Sequence, residues 1–446
     1  MSETLSTNTA QKSVDAPRKV RTDHHLWGTY ILLVIVALIE LFSASIQEVS
    51  DGSIFRPVMR HGAFIVGGLL IMLFLQHIHY RRIFAFIPFF SSACIILMLA
   101  VLVVGKPVNG AMRAITILGV DLLPAEFLKL AAALGMAWII AKNKEKGKRD
   151  ITTRGMVFCL LFMGICAGVL FSQGLSNTIV VVSICFSMML VGGVSWKKFF
   201  IILGICGAVG GAAIFLKTQI KHDVKLTPQQ ERVYALNKED VDTCRADGRG
   251  NVWIARVKHH FRPNKHLEEF SVEHQQEQLS YIAQAHGGLF GVGIGRSREN
   301  GRLPLAFSDY IFAIIIEELG LFIGLAILIC YLWILGRSAK LTMQFKQSIP
   351  GVMVMGCAFV IVFQALYHML IVSGVIPVSG QPLPLISKGG ISVLATSMAF
   401  GVMLSVARHA VRVTDTKDEQ REEVALLPED ARSVNPVLIN SSEQKN

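Results

Sequence analysis

PGVMVMGCAFVIVFQALYHMLIV (350–372) is a run of 23 residues without a single Asp, Glu, Lys or Arg. At about 1.5 Å of rise per residue, a helix of that length crosses the roughly 30 Å hydrocarbon layer of a bilayer. A helix on the surface of a soluble domain keeps one polar face, and this stretch has none. Inside lipid each backbone group must find its partner within the segment, which makes the run a helix. Working outward, similar apolar runs lie at 26–46, 58–78, 83–104, 121–141, 155–172, 177–194, 198–217, 309–335 and 386–408, and the quoted one extends over 350–375. The expected fold is therefore all-α, a polytopic membrane protein of about ten transmembrane helices. The composition agrees: 52% of residues are hydrophobic, 17% are charged and the mean hydropathy is +0.51. Soluble domains carry about 25% charge. The formal net charge of +11 does not indicate nucleic acid, because the basic residues fall in short clusters between apolar runs.

Those clusters set the expected orientation. Arg18, Lys19 and Arg21 precede the first run, and Arg81 and Arg82 follow the second. Lys142, Lys144, Lys146, Lys148, Arg149 and Arg154 follow the fourth, and Lys197 and Lys198 the sixth. Arg337, Lys340 and Lys346 follow the eighth, and Arg408 and Arg412 the tenth. With ten spans all of them fall on one face, the cytoplasmic one. The division that follows is a cytoplasmic tail at 1–25, a transmembrane domain at 26–410 and a cytoplasmic tail at 411–446. A large extracytoplasmic loop, 218–308, joins the seventh and eighth helices. Long loops are exempt from the positive-inside rule, so the basic residues of 218–308 do not conflict with it. Seven of the eight cysteines sit inside apolar runs without metal-ligand spacing, which suits packing.

Polar residues at the ends of spans are costly in lipid and mark candidate sites. Three groups share the expected outer face. DLLPAEFLKLAAA (121–133) sets Glu126 and Lys129 three residues apart on one helical face. LPLAFSDYIFAIIIEELG (303–320) puts Asp309 where the long loop enters the eighth span, with Glu317 and Glu318 two turns deeper. VSGVIPVSGQPLPLISKGGIS (372–392) supplies a stiff Pro/Gly loop with Pro377, Pro382, Pro384, Ser387, Lys388, Gly389 and Gly390. Glu40 is expected at the interface, and Gln364 and His368 are expected to bridge helices. A carboxylate, an ion pair and a rigid loop on one membrane face suit a substrate whose tail lies in lipid and whose polar head lies outside.

The same residues carry a family resemblance. FSAS (42–45), NGAMRAITI (109–117), LPAEFLKL (123–130), GGLFGVGIGRS (287–297), SDYIFAIIIEELG (308–320) and QPLPLISKGGIS (381–392) occur in the order found in the SEDS family of shape, elongation, division and sporulation proteins. Trp253, Arg256 and Phe261 are similar to a pattern of its division branch, and the last three motifs resemble the FtsW-type rather than the RodA-type elongation branch. Ala114 stands where the family pattern has Trp, Lys388 where it has Tyr, and SQGLSNT (172–178) lacks the acid usual there.

The resemblance implies a peptidoglycan glycosyltransferase of the bacterial inner membrane, active on its periplasmic side during cell division. It implies lipid II as substrate and a class B penicillin-binding protein, with other divisome membrane proteins, as partners among the membrane lipids. Asp309 is then the catalytic acid residue, acting as general base. Substrate contacts are expected from Glu126, Lys129, Arg113, Pro384, Ser387, Lys388 and Gly389. Lys129, Arg113 or a divalent cation (Mg or Mn) would offset charge on the leaving pyrophosphate. No organic cofactor is expected. Two rivals remain open: a lipid II flippase, which needs a polar path through the midplane, and a non-catalytic divisome scaffold.

Overall fold

The computed structural model describes residues 22–47, 55–104, 106–108, 111–117, 120–144, 151–202, 204, 207, 211, 256–257, 260–261, 275–303, 306–345 and 348–412. The tail before 22, Trp253, most of the expected 218–308 loop and the segment after 412 lie outside the described residues. The helices are α1 (His24–Gln47), α2 (Phe55–His77), α3 (Tyr80–Val104), α4 (Pro124–Lys142), α5 (Thr153–Phe171), α6 (Leu175–Gly192), α7 (Gln275–Gly287), α8 (Ala306–Asp309), α9 (Ile311–Leu319), α10 (Leu321–Gln344), α11 (Ser348–Val372) and α12 (Gly390–His409).

Eight of these, α1, α3, α4, α5, α6, α10, α11 and α12, are long and apolar enough to cross a membrane, and the protein is membrane-embedded. The 23-residue α2 matches the expected run at 58–78. Residues 196–202 are helical at the start of the expected run at 198–217, most of which lies outside the described residues.

Two features differ from the sequence expectation in detail. Residues 106–122 form three short antiparallel strands, β1 (Lys106–Val108), β2 (Ala111–Ile117) and β3 (Val120–Leu122), in the order β1-β2-β3. The register sets Thr116 opposite Asp121, and the β-branched Ile115, Thr116 and Ile117 suit an extended chain. The expected span at 309–335 is two helices. Gly320, at φ +87°, turns the chain between α9 and α10. A Cβ there would lie 2.4 Å from the Leu289 carbonyl oxygen, so only glycine fits. The crossing helix is α10, and α9, buried in all but its last residue, lies before it.

The bundle is organised around α4, α11 and α12. About 89% of the apolar window of α4 is buried within the protein against 28% for α3, which separates central helices from lipid-facing ones. Small residues let the central helices approach closely, as packing in lipid favours. A Cβ at Gly135 of α4 would meet the Phe162 ring of α5 at 2.4 Å, and one at Gly68 of α2 would meet Ser397 Oγ of α12 at 2.5 Å. At the end of the bundle where α1 begins, Asp23 accepts the backbone N–H groups of His25 and Leu26, both at 3.1 Å, and so caps that helix. Arg337 of α10 grips the same carboxylate through Nε at 3.0 Å and Nη2 at 2.7 Å.

Candidate active site

At the opposite end, the loop 373–389 between α11 and α12 is fastened to the segment that carries Asp309. The Lys388 N–H donates to the Phe307 carbonyl at 2.8 Å, and Ser387 Oγ donates to the Ser308 carbonyl at 2.8 Å. Ser387 Oγ also accepts the Leu383 N–H at 2.6 Å, and Tyr331 Oη donates to the Pro384 carbonyl at 2.5 Å. Leu385 is held at φ +66°, a conformation that costs a non-glycine residue energy and persists only where its surroundings impose it. Pro384 and Ser387 are buried, while Lys388 and Gly389 are half-buried.

Asp309 ends the short α8 and is half-buried. Ser308 Oγ donates to its Oδ1 at 3.0 Å. Its other oxygen lies against Gly380, where an added Cβ would sit 2.7 Å away. The next residue of the loop, Gln381, enters a buried network. Lys129, with no exposed surface, donates to Glu126 Oε1 at 2.7 Å and to Gln381 Oε1 at 3.5 Å. Gln364 Nε2 donates to Glu126 Oε2 and to the Pro382 carbonyl, both at 3.1 Å. His368 Nδ1 bonds the Gln381 carbonyl at 2.6 Å, and Gln381 Nε2 donates to Asn177 Oδ1 at 2.8 Å. The network ties α4, α6 and α11 to the loop. Gln364 and His368 bridge elements, as expected of them.

Asp309, Glu126, Lys129, Pro384, Ser387, Lys388 and Gly389 therefore share one end of the bundle. Arg113 lies on β2, separated from α4 by β3, and its side chain is outside the described part. Glu317 and Glu318 serve a neighbouring device. Glu317 takes hydrogen bonds from Ser297 Oγ and the Arg298 N–H, and bonds His286 Nδ1 at 2.9 Å. Glu318 accepts from Ser43 Oγ at 2.5 Å and from the Gly295 N–H at 3.0 Å. The Gly-rich stretch 287–297 is thus pinned backbone to backbone on the end of α9. A Cβ at Gly287 would fall 2.0 Å from the Ile316 carbonyl oxygen. Glu40, expected at the interface, is 1% exposed; its place on α1 turns it inward.

Sequence motifs do not single out two residues near Asp309. Glu277 and Tyr281 lie on α7, with Tyr281 Oη donating to Glu277 Oε1 at 2.6 Å. Arg256, exposed, donates from Nη1 to the Val378 carbonyl at 3.1 Å, beside the loop that packs on Asp309. Tyr310 is almost wholly buried between these groups. Burial, then the charges of Glu277 and Asp309, push its phenol well above the ordinary range, and Arg256 opposes them. An amphipathic helix inside a polar loop gave no signal that it would fold back onto the site.

A bundle of apolar helices that presents a half-buried carboxylate at one end, under a fastened Pro/Gly loop, defines an integral membrane protein with a built polar site. Residues 23–412 match the family described as "Cell cycle protein", which groups FtsW, RodA and SpoVE, and the chain belongs to that family. It is 28% identical to Stage V sporulation protein E of Bacillus subtilis (strain 168) over 395 residues, 85% of this chain and 95% of that protein. It is also 28% identical to the probable peptidoglycan glycosyltransferase FtsW of Tolumonas auensis over 393 residues, 86% of this chain and 91% of that protein. Among solved structures, a chain described under "Structural coordination of polymerization and crosslinking by a peptidoglycan synthase complex" superposes with a TM-score of 0.62 at 22% identity, covering 88% of this chain and 99% of that one.

Proposed function

We propose that this chain is a peptidoglycan glycosyltransferase that polymerises lipid II at the outer face of the bacterial inner membrane, with both termini in the cytoplasm. The observation that carries the reading is a half-buried Asp309 seated against Gly380 under the loop 373–389. The name of the FtsW relative supports the reaction class. In the reaction, the 4-hydroxyl of one disaccharide attacks the anomeric carbon of another, the new glycosidic bond forms and the bond to polyprenyl pyrophosphate breaks. Asp309 takes the hydroxyl proton as general base. A single displacement inverts the α-linked donor to a β-linked product, so no second nucleophile is needed.

Among the described residues no three His, Cys, Asp or Glu side chains come together as a cation cage. Arg113 and Arg256 are assigned to the developing pyrophosphate charge. Lys129 is fully buried and already paired, so its assigned role is to hold Gln381, and through it the loop that roofs Asp309. A class B penicillin-binding protein is the proposed partner, in keeping with the solved complex in which polymerization and crosslinking are coordinated. Cell division is the proposed setting, on the motif resemblance to the FtsW-type branch.

The experiment runs purified protein and its partner with lipid II in two assays at once, a polymerisation gel and a vesicle translocation assay. Glycan chains without translocation are the expected result. Translocation without chains would replace the enzyme with a flippase.

A further inference from the structure

The depth of the glycine-rich stretch 287–297 can be measured along α1. Asp23, gripped by Arg337, marks one end of that helix. Ser43, 20 residues further on by the difference of their numbers, ends the apolar span His24–Ser43 and donates to Glu318 Oε1 at 2.5 Å. Twenty residues of helix rise about 30 Å, the thickness of the hydrocarbon layer. Glu318 therefore stands at the far boundary of that layer, where it holds the stretch through the Gly295 N–H. The start of α10 is held there too. The Leu321 N–H donates to the Gly288 carbonyl at 3.0 Å and the Phe322 N–H to the Leu289 carbonyl at 3.3 Å, amides that a helix start leaves without an internal partner.

Between these anchors the stretch turns apolar side chains outward: Phe290 is 82% exposed, Leu289 53% and Ile294 48%. The Phe290 ring lies 5.5 Å from that of Phe322. From there the exposed Ile323, Leu325 and Ile329 continue along α10, whose apolar window is only 28% buried within the protein. Arg296 and Arg298 follow, both exposed and without an ion-pair partner among the described residues. Arg302 is exposed as well, but lies 3.6 Å from Glu299.

We propose that residues 289–298 are an interfacial anchor, in which Leu289, Phe290 and Ile294 enter the acyl boundary of the leaflet and Arg296 and Arg298 hold the headgroups of anionic phospholipids. Apolar residues beside basic ones are the composition of a segment that lies in the membrane interface, and aromatic rings settle at that level. Continuity with the lipid-facing side of α10 makes lipid, rather than a protein partner, the occupant. The charges choose its class. Glu299, Glu317 and Glu318 are buried, so the exposed charge is guanidinium, which pairs with phosphate. The proposal does not depend on glycosyl transfer, and its readout is lipid contact rather than polymerisation.

Full-length protein carrying Phe290→Trp is reconstituted in vesicles, and its added fluorescence over the wild type is quenched with phospholipids brominated near the carbonyl end of the acyl chains. Brominated phosphatidylcholine should quench the introduced indole. Phosphatidylglycerol carrying the same bromines should associate at least about fivefold more strongly, the scale of one arginine near an anionic surface. Arg296→Gln with Arg298→Gln should remove that preference. Should the double variant fail to fold, about 1 M salt should remove it with both arginines in place, because screening then acts within about 3 Å. Adding the partner transpeptidase should leave the quenching unchanged. An indole that bromine does not reach, equal association of the two lipids, a preference indifferent to both the arginines and salt, or shielding by the transpeptidase would each overturn the proposal.

Discussion

Asp309 and Lys129 are held by consecutive residues of one loop: the Asp309 carboxylate packs on Gly380, and the Lys129 ammonium reaches Gln381 Oε1 at 3.5 Å. One belongs to the chain leading into α9 and the other to the first turns of α4, 180 residues earlier in sequence by the difference of their numbers. Any shift of the loop at one of these contacts is felt at the other, because the peptide between them is shared and the loop is fastened further on at Ser387 and Lys388.

The first consequence concerns the ion pair. Removing one partner leaves an uncompensated buried charge, a loss of about 3–5 kcal/mol, whereas removing both is close to neutral by comparison. Glu126→Gln and Lys129→Met should each lower the thermal unfolding midpoint in detergent more than the double variant does. A double variant less stable than either single one would show that the pair contributes net stability.

Gly380→Ala separates positioning from folding. The residue is exposed and its backbone needs no left-handed conformation, so stability should change by no more than about 0.5 kcal/mol. The new methyl would stand 2.7 Å from Asp309 Oδ2 and must displace it. Polymerisation should fall roughly 10²-fold, the loss expected of an ångström-scale misplacement. Unimpaired chain synthesis would mean that the Asp309–Gly380 contact is incidental.

Glu317→Ala tests the pinned glycine-rich stretch. It leaves His286, Ser297 and the Arg298 N–H without their shared acceptor. Of the three only Ser297 is buried, and leaving its hydroxyl unsatisfied costs about 1–3 kcal/mol, so limited proteolysis should cut 287–303 faster in the variant. Unaltered proteolysis would show that backbone contacts to α9 suffice.

Asp23 gives a pH dependence. Burial alone would raise its carboxyl pKa, but the hydrogen bonds and charge of Arg337 and the Leu26 N–H outweigh it, and the group is held below the ordinary value of 3.8. A depressed folded-state value stabilises the protein fully above the unfolded pKa, and that contribution is lost as pH falls through the folded one. The unfolding midpoint should be flat with respect to this group above about pH 5 and drop below about pH 4. Asp23→Asn should flatten the acid limb; an identical limb in the variant would assign it to other groups.

Much of this was legible in sequence because lipid imposes a simple rule: a run like 350–372 has no alternative to a helix. The motif residues Asp309, Glu126, Lys129 and Ser387 announced themselves as polar groups at the ends of apolar runs. What stayed hidden is made by pairs distant in the chain. Glu40 reads as an interfacial acid until the packed bundle buries it beside Glu318. Glu277 and Tyr281 sit on a polar helix whose docking against Gly374 depends on a close approach, since a Cβ there would lie 2.0 Å from Tyr281 Oη. The break at Gly320 was concealed because apolar residues continue across it, and hydropathy does not register a left-handed φ.

The central claim is that the Asp309 carboxylate accepts the proton of the attacking sugar hydroxyl. Asp309→Asn keeps the shape of the side chain and removes its basicity. With lipid II and the partner transpeptidase, the purified variant should form glycan polymer at least about 10²-fold more slowly than the wild type, with an unchanged unfolding midpoint. Polymer formed at the wild-type rate by a folded D309N protein would contradict the account.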